Sequence, residues 1–250
     1  MRIEFATRVL KLLQANRNIA LNTSILAVCA GEAERDLFVS LGLTNVTITS
    51  LDPVVTSGVM APFTGSLADV RKLPFDAEAF DWVFVSDGLH HCDSPHAALV
   101  EMYRVARTGV IVFESRDNLL IRLAVARGLT EQYEISAVAD NRGECAGVNY
   151  TSVPNYVYRW TERDFEKTIA CADPTGKPSF QYFYGFNAPV RAYSGIKSVI
   201  YKTAVLAGKV FACLFKKQSN SFCMVAFKPT ELFPWLVRGV DNKPVFRKVG

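Results

Sequence analysis

The sequence predicts an α/β fold: a doubly wound, mostly parallel sheet with helices on both faces. Three observations predict it. Short, almost continuous apolar runs recur along the first half, as strands buried on both faces require. Segments of helical spacing alternate with them, and turn residues such as Gly42 and Pro53 close the units. With 250 residues, 50% of them hydrophobic, the chain can bury a large core, and nothing in its middle reads as a linker. One domain over 1–250 is expected.

The elements follow in order. Phe5, Val9, Leu12 and Leu13 share one helical face, giving an N-terminal helix within 1–20. Ile25–Cys29 reads as a strand, Glu34–Leu41 as a helix closed by Gly42, and Val46–Leu51 as a second strand. Pro53, Gly58 and Pro62 break the next segment before a short strand at Gly65–Ala68. Phe80–Gly88 (FDWVFVSDG) contains a buried strand. Ser94 as cap and Pro95 at the first helical position start the helix HAALVEMYRVA, and GVIVFE at Gly109–Glu114 is a further strand.

The second half is less regular. Thr130–Val148 has no clear pattern and reads as a loop or an inserted lid reaching 160. Thr161, with Asp164 three residues on, opens a helix to Cys171. Phe180–Phe186 and Ser221–Phe227 complete a set of seven strands, and 229–250 is a tail. Between those last strands lies the apolar stretch Ser194–Lys217. Lys202 and Lys209 interrupt it, so it does not read as a membrane span. Lysines 202, 209 and 216 recur every seven residues on one side, which suits a soluble helix with a polar stripe better than a helix lying on a membrane surface.

Charge is uneven. Residues 1–125 hold 11 Lys/Arg against 14 Asp/Glu, and 126–250 hold 17 against 10, so the formal +4 divides into −3 and +7. The basic half suits an anionic small-molecule acceptor; no nucleic-acid recognition motif accompanies it. The six cysteines (29, 92, 145, 171, 213, 223) form no C-x-x-C pair and no zinc-type cluster, so reduced thiols and no metal are expected. MRIEFATRVLKLLQ carries charges throughout and does not read as a signal peptide, which makes a cytoplasmic location the expectation. A homodimer is compatible with all of this.

Candidate chemistry gathers where the first strands end, which is where sites lie in such sheets. The strand ending at Cys29-Ala30-Gly31 turns into a helix whose first N–H groups face an anion, a side chain or water. Asp52 ends the second strand, 21 residues after Gly31, where a carboxylate can accept from ribose hydroxyls. Asp69 follows the short third strand. Ser86, Asp87 and the pair His90/His91 follow the next.

These residues resemble class I S-adenosylmethionine-dependent methyltransferases, in the small-molecule, type 11-like branch similar to quinone-biosynthesis methyltransferases. The resemblance spans roughly Ile25–Asn118. It rests on ILAVCAGEAE, Asp52, ADVRKLPFDAEAFDWVFVSDGLHH and ALVEMYRVARTGVIVFE, of which the middle stretch is the most specific. It implies a Rossmann-like seven-stranded sheet with an antiparallel last strand. It further implies that Cys29, Ala30 and Gly31 line the methionine end of the cofactor, Asp52 the ribose, Asp69 and Val70 the adenine, and Ser86 the floor beneath the sulfonium. Departures from the pattern are Ala27 where an acidic residue is usual, Cys29 and Ala33 in place of glycines, and the shortened turn Arg107-Thr108-Gly109.

For an oxygen acceptor a base is needed, and His91 is the first candidate with His90 the second. Acceptor binding is expected from Tyr150, Asn155, Tyr156 and Arg159 in YTSVPNYVYRWTERD, an aromatic and hydrogen-bonding stretch suited to a sugar, a sugar-nucleotide, or a quinone or phenol. The competing readings are a non-catalytic relative that binds cofactor or a partner without turnover, and an NAD-dependent oxidoreductase. The absence of G-x-G-x-x-G from the opening loop counts against the second.

Overall fold

The computed structural model describes residues 2–187, 194–239 and 241–247. In chain order the elements are α1 (Arg2–Ala15), β1 (Ile25–Val28), α2 (Glu32–Ser40), β2 (Val46–Ser50), β3 (Thr64–Leu67), β4 (Phe80–Ser86), α3 (Pro95–Val105) and β5 (Ala106–Ser115). There follow α4 (Leu119–Ala126), α5 (Ile135–Asp140), α6 (Glu162–Ala172), β6 (Ser179–Gly185), α7 (Gly195–Leu214), β7 (Ser221–Phe227), β8 (Leu236–Arg238) and β9 (Pro244–Phe246).

Seven strands form one sheet in the order β3-β2-β1-β4-β5-β7-β6, with β7 antiparallel to both neighbours and the other described pairings parallel. The expected doubly wound sheet with an antiparallel last strand is therefore present. The reversal at β1/β4 marks where ligands bind in open α/β sheets. Side chains alternate across the sheet. Ile25, Ala27, Trp82, Phe84, Ile111 and Val225 pack with Val9 and Leu13 of α1 and Leu37 and Phe38 of α2. Leu26, Val28, Val83, Val85, Val112 and Met224 pack on the other face with Leu99 and Met102 of α3 and Phe165 and Ile169 of α6. A continuous apolar run such as ILAV is thus explained by burial on both faces: all four residues of β1 are buried.

Local rules account for the joints. Thr161 and Asp164 exchange the reciprocal bonds of a capping box at the start of α6. Gly42, at φ 70°, follows α2 in the left-handed conformation that ends helices. Ser94 stands at the cap position of α3, but its side chain makes no capping bond; Pro95 alone favours the helix start there. A Cβ on Gly109 would lie 2.0 Å from the Ala226 carbonyl, so close pairing of β5 with β7 requires glycine. The stretch expected to be a loop or lid contains α5, and the tail carries the small hairpin β8-β9. No described helix is long and apolar enough to cross a membrane.

Candidate functional site

The carboxyl ends of β1 to β4 surround a cavity of about 300 Å³. Cys29, Ala30 and Gly31 come from the turn after β1, Asp52 from the turn after β2, Asp69 and Val70 from the turn after β3, and Asp87, Gly88, His91 and Cys92 from the turn after β4. Parallel strands end on one side of a sheet, which is why residues so far apart in sequence meet. Cys29 and Asp87 both adopt φ 51°, bending the chain sharply away from the sheet. A Cβ on Gly88 would come within 2.5 Å of the Cys29 Cβ, so the two turns approach as closely as they do only because Gly88 has no side chain.

Gly31 caps α2, and its N–H donates to Glu34 Oε2 at 3.0 Å, so the first donor of that helix is satisfied within the chain. A Cβ on Gly31 would meet nothing within 4 Å, because the turn faces open space. Asp52 Oδ1 accepts the Val54 N–H at 2.9 Å. Asp69 accepts from Arg71 Nε at 2.9 Å, and Arg71 also reaches Asp93 at 2.5 Å, holding the Asp69 carboxyl below its usual range. A hydrogen bond with Cys92, assisted by burial, pushes the Cys29 thiol well up and keeps it neutral. Among the described residues, the cavity lining contains Asp52, Asp69 and Asp87 and no lysine or arginine. Such a wall favours a cationic ligand.

Two expectations need correction. Ser86 is the last residue of β4, paired with Phe113, and does not line the cavity; Asp87 and Gly88 stand there instead, one step past the end of the ladder. His90 is not placed to act as a base. It is 3% exposed, its Nδ1 donates to Glu114 at 2.7 Å and its Nε2 lies 3.4 Å from Glu134. Burial opposes its charge, but the two carboxylates outweigh burial and push its pKa up to about 10. The bond with His90 holds Glu134 down at about 2 against the effect of burial.

His91 has the other environment. It lines the cavity, is 32% exposed and has its Nε2 3.5 Å from the same Glu134 oxygen. His90, His91 and Glu134 have the composition of a metal centre. However, the two rings stack at 4.6 Å and only 34° apart, whereas one ion would have to lie in the plane of both. The arrangement suits an ion-pair network better.

The four acceptor candidates are separated. Tyr150 reaches the cavity, where its hydroxyl bonds with Asp52 and Cys145 and, chiefly through burial, titrates above its usual range. Asn155 is buried behind the site; its Nδ2 donates to the His90 carbonyl at 3.1 Å and to Glu134 at 3.2 Å, fixing both. Tyr156 and Arg159 line a different cavity, of about 350 Å³, with Asp117 and Asp164. Sequence reasoning missed Glu114, Asn149 and Glu134. Glu114 had a signal, a carboxylate ending an otherwise apolar strand; Glu134 sits in the patternless segment and Asn149 directly follows it, and neither had one.

Residues 29–113 match the family model of a methyltransferase domain. Ubiquinone/menaquinone biosynthesis C-methyltransferases of Neisseria meningitidis are 43% identical over 58 residues, which is 23% of this chain and 23% of theirs, so the match spans less than a quarter of those relatives. Among solved structures, a putative methyltransferase from Bacillus halodurans has a TM-score of 0.51 at 15% identity, covering 88% of this chain and 99% of that one. Magnesium protoporphyrin IX methyltransferase of Synechocystis, with bound SAH, has a TM-score of 0.51 at 13% identity, covering 90% and 83%. A Haloferax volcanii putative methyltransferase complex with the Trm112 activator gives 0.54 at 12% identity, covering 83% of each chain. These structural likenesses establish the fold, and the sequence match falls on the segment that builds the cavity. Residues 29–113 are thus similar to a methyltransferase domain, on a fold shared with methyltransferases of known structure.

Proposed function

We propose that the protein transfers a methyl group from S-adenosylmethionine to a hydroxyl of a small acceptor, a sugar or sugar-nucleotide. The observation that carries this reading is the histidine on the cavity wall, His91, beside a carboxylate already fixed by His90 and Asn155. The cofactor supplies an activated methyl on a cationic sulfonium. The chain supplies the rest. Asp52 accepts from the ribose, Asp69 and Val70 flank the adenine, and the open turn at Gly31 takes the methionine end. The three aspartates complement the positive charge. His91 accepts the acceptor's proton as the new bond forms, and Glu134 orients the ring and steadies its charge.

The acidic cavity takes the cofactor and the reacting hydroxyl. An anionic group on the acceptor is left to cations outside it, of which Arg159 in the separate cavity is one. A quinone or phenol acceptor is favoured by a different observation, the segment shared with quinone methyltransferases. Transfer of labelled methyl to a panel of sugars, sugar-nucleotides and hydroxylated aromatics distinguishes the two. His91→Asn should lower kcat by about 10²- to 10⁴-fold while cofactor affinity measured by calorimetry stays within about threefold. Full activity in the variant removes His91 as the base. A folded wild type that takes up no cofactor in calorimetry removes the reading altogether.

A further inference from the structure

The helices α4 and α7 each turn one apolar face outward in the described structure; Ile121, Ala124 and Val125 of α4 are half-buried, and on α7 Ala212 is buried and Phe186 packs against Gly208. No residue of α4 (LLIRLAVA) is buried, and Leu119, Leu120 and Leu123 are all exposed. On α7, Val199, Leu206, Val210 and Leu214 are exposed; their spacing of seven, four and four places them in one stripe along the helix. Lys202 and Lys209 stand exposed beside it at seven-residue spacing, and exposed Lys216 follows in the turn after the helix. From Ser194 to Asn220 the sequence holds five lysines and no acidic residue.

The segment that follows α7 is tied to the start of α4 at one place. Asn118, which caps α4, donates its Nδ2 to the Ser219 carbonyl at 2.7 Å, Arg116 donates to the Lys217 carbonyl, and the Arg116 N–H bonds to Asn220. Ser115 and Ser221 pair at the carboxyl end of β5, so this junction lies on the same edge of the sheet as the candidate site. Exposed leucines on both helices are costly in water, and the lysines beside the α7 stripe outnumber the acidic side chain near them, Glu4, which lines a cavity with Lys209 and Lys216. They complement one environment in both respects, a lipid surface bearing negative headgroups.

We propose that α7 and α4 form a membrane-docking surface that seats the protein on anionic lipid, with the leucine stripe entering the acyl boundary and the lysines at headgroup level. No span is involved. This surface does not depend on the methyl-transfer reading, and its test needs no cofactor. If both hold, the site lies on the edge of the sheet that faces an acceptor held in the lipid.

Sedimentation with vesicles of phosphatidylcholine alone and of phosphatidylcholine with 30% phosphatidylglycerol, the latter about a third anionic by design, tests the proposal. The full chain should pellet with the anionic vesicles, and raising salt should release most of it. Leu206→Glu with Leu214→Glu should reduce binding at least tenfold with an unchanged circular-dichroism spectrum and melting temperature, because both side chains are exposed. Each of Lys202→Ala, Lys209→Ala and Lys216→Ala should lower the partition coefficient about fivefold. Absence of binding to anionic vesicles at low salt overturns the proposal, as does binding that the double leucine variant leaves intact. Light scattering that shows a dimer disrupted by the same leucine substitutions would assign the surface to a second copy of the chain instead, and also overturns it.

Discussion

Two neighbouring histidines in one turn receive different tasks from the carboxylates that reach them. His90 lies between Glu114 and Glu134 with both ring nitrogens engaged, while His91 reaches Glu134 at 3.5 Å and opens to the cavity. The His90 pair makes stability depend on pH. The contribution of His90 is complete below the ordinary histidine value of 6.5 and is lost as pH rises toward its folded value of about 10. That of Glu134 is complete above the ordinary 4.5 and is lost as pH falls toward about 2. Urea midpoints should therefore be highest between these ordinary values and decline on both sides. Glu114→Gln should cost about 3 kcal/mol near neutral pH and flatten the alkaline decline, because it leaves a buried imidazolium short of a counter-charge. A variant with the wild-type pH profile would show that the pair contributes nothing. At Asp52, Asp52→Ala should weaken cofactor binding by about 1.5–3 kcal/mol, the usual size of hydrogen bonds to a charged group, read by calorimetry. Unchanged affinity takes Asp52 out of the site.

Elements built on strong local rules were legible in the sequence. Thr161 and Asp164 announced α6, and the box they form is present, so Thr161→Ala should destabilise the protein by about 0.5–2 kcal/mol in urea unfolding. An effect below a few tenths would mean that packing of Phe165 and Ile169 alone holds the helix. The first four strands were legible because β1, β2 and β4 are short apolar runs, and the site residues at their ends followed from the geometry of parallel strands. Ser86 was misplaced by one residue because the strand's last ladder position and the start of the turn look alike in sequence. By contrast, α4 escaped notice because LLIRLAVA is apolar at every position but Arg122, so its sequence lacks the alternation of polar and apolar residues by which helices are found. Glu134 and Asn149 arrive from a segment whose position depends on long-range bonds such as that from Asn149 to the Asp93 N–H, and no local rule encodes these.

The whole molecule joins the half whose strands end at the candidate site to the second half through a shared sheet and not through a linker. Strand β7 pairs with β5 from Gly109 to Ser115 and with β6 along its whole length, so removing the second half would expose the edge of β5. Arg116 strengthens the joint from the end of β5, bonding Glu162 at 2.7 Å on α6 and stacking near the rings of Tyr184 and Phe222. Such continuity predicts one cooperative unfolding transition. Trp82 and Trp160 are both buried, one in each half on opposite faces of the sheet, so variants retaining a single tryptophan report each half separately. Both should unfold at the same urea concentration as the far-ultraviolet circular dichroism. Saturation with S-adenosylmethionine at about a hundred times its Kd should raise both midpoints together, by the equivalent of about 2.7 kcal/mol, although the cavity touches only the ends of β1 to β4 and the segment near Tyr150. If the Trp160 transition came first and ignored the ligand, the second half would be an independently stable unit, and the shared strands β5 and β7 would not couple it to the cofactor site.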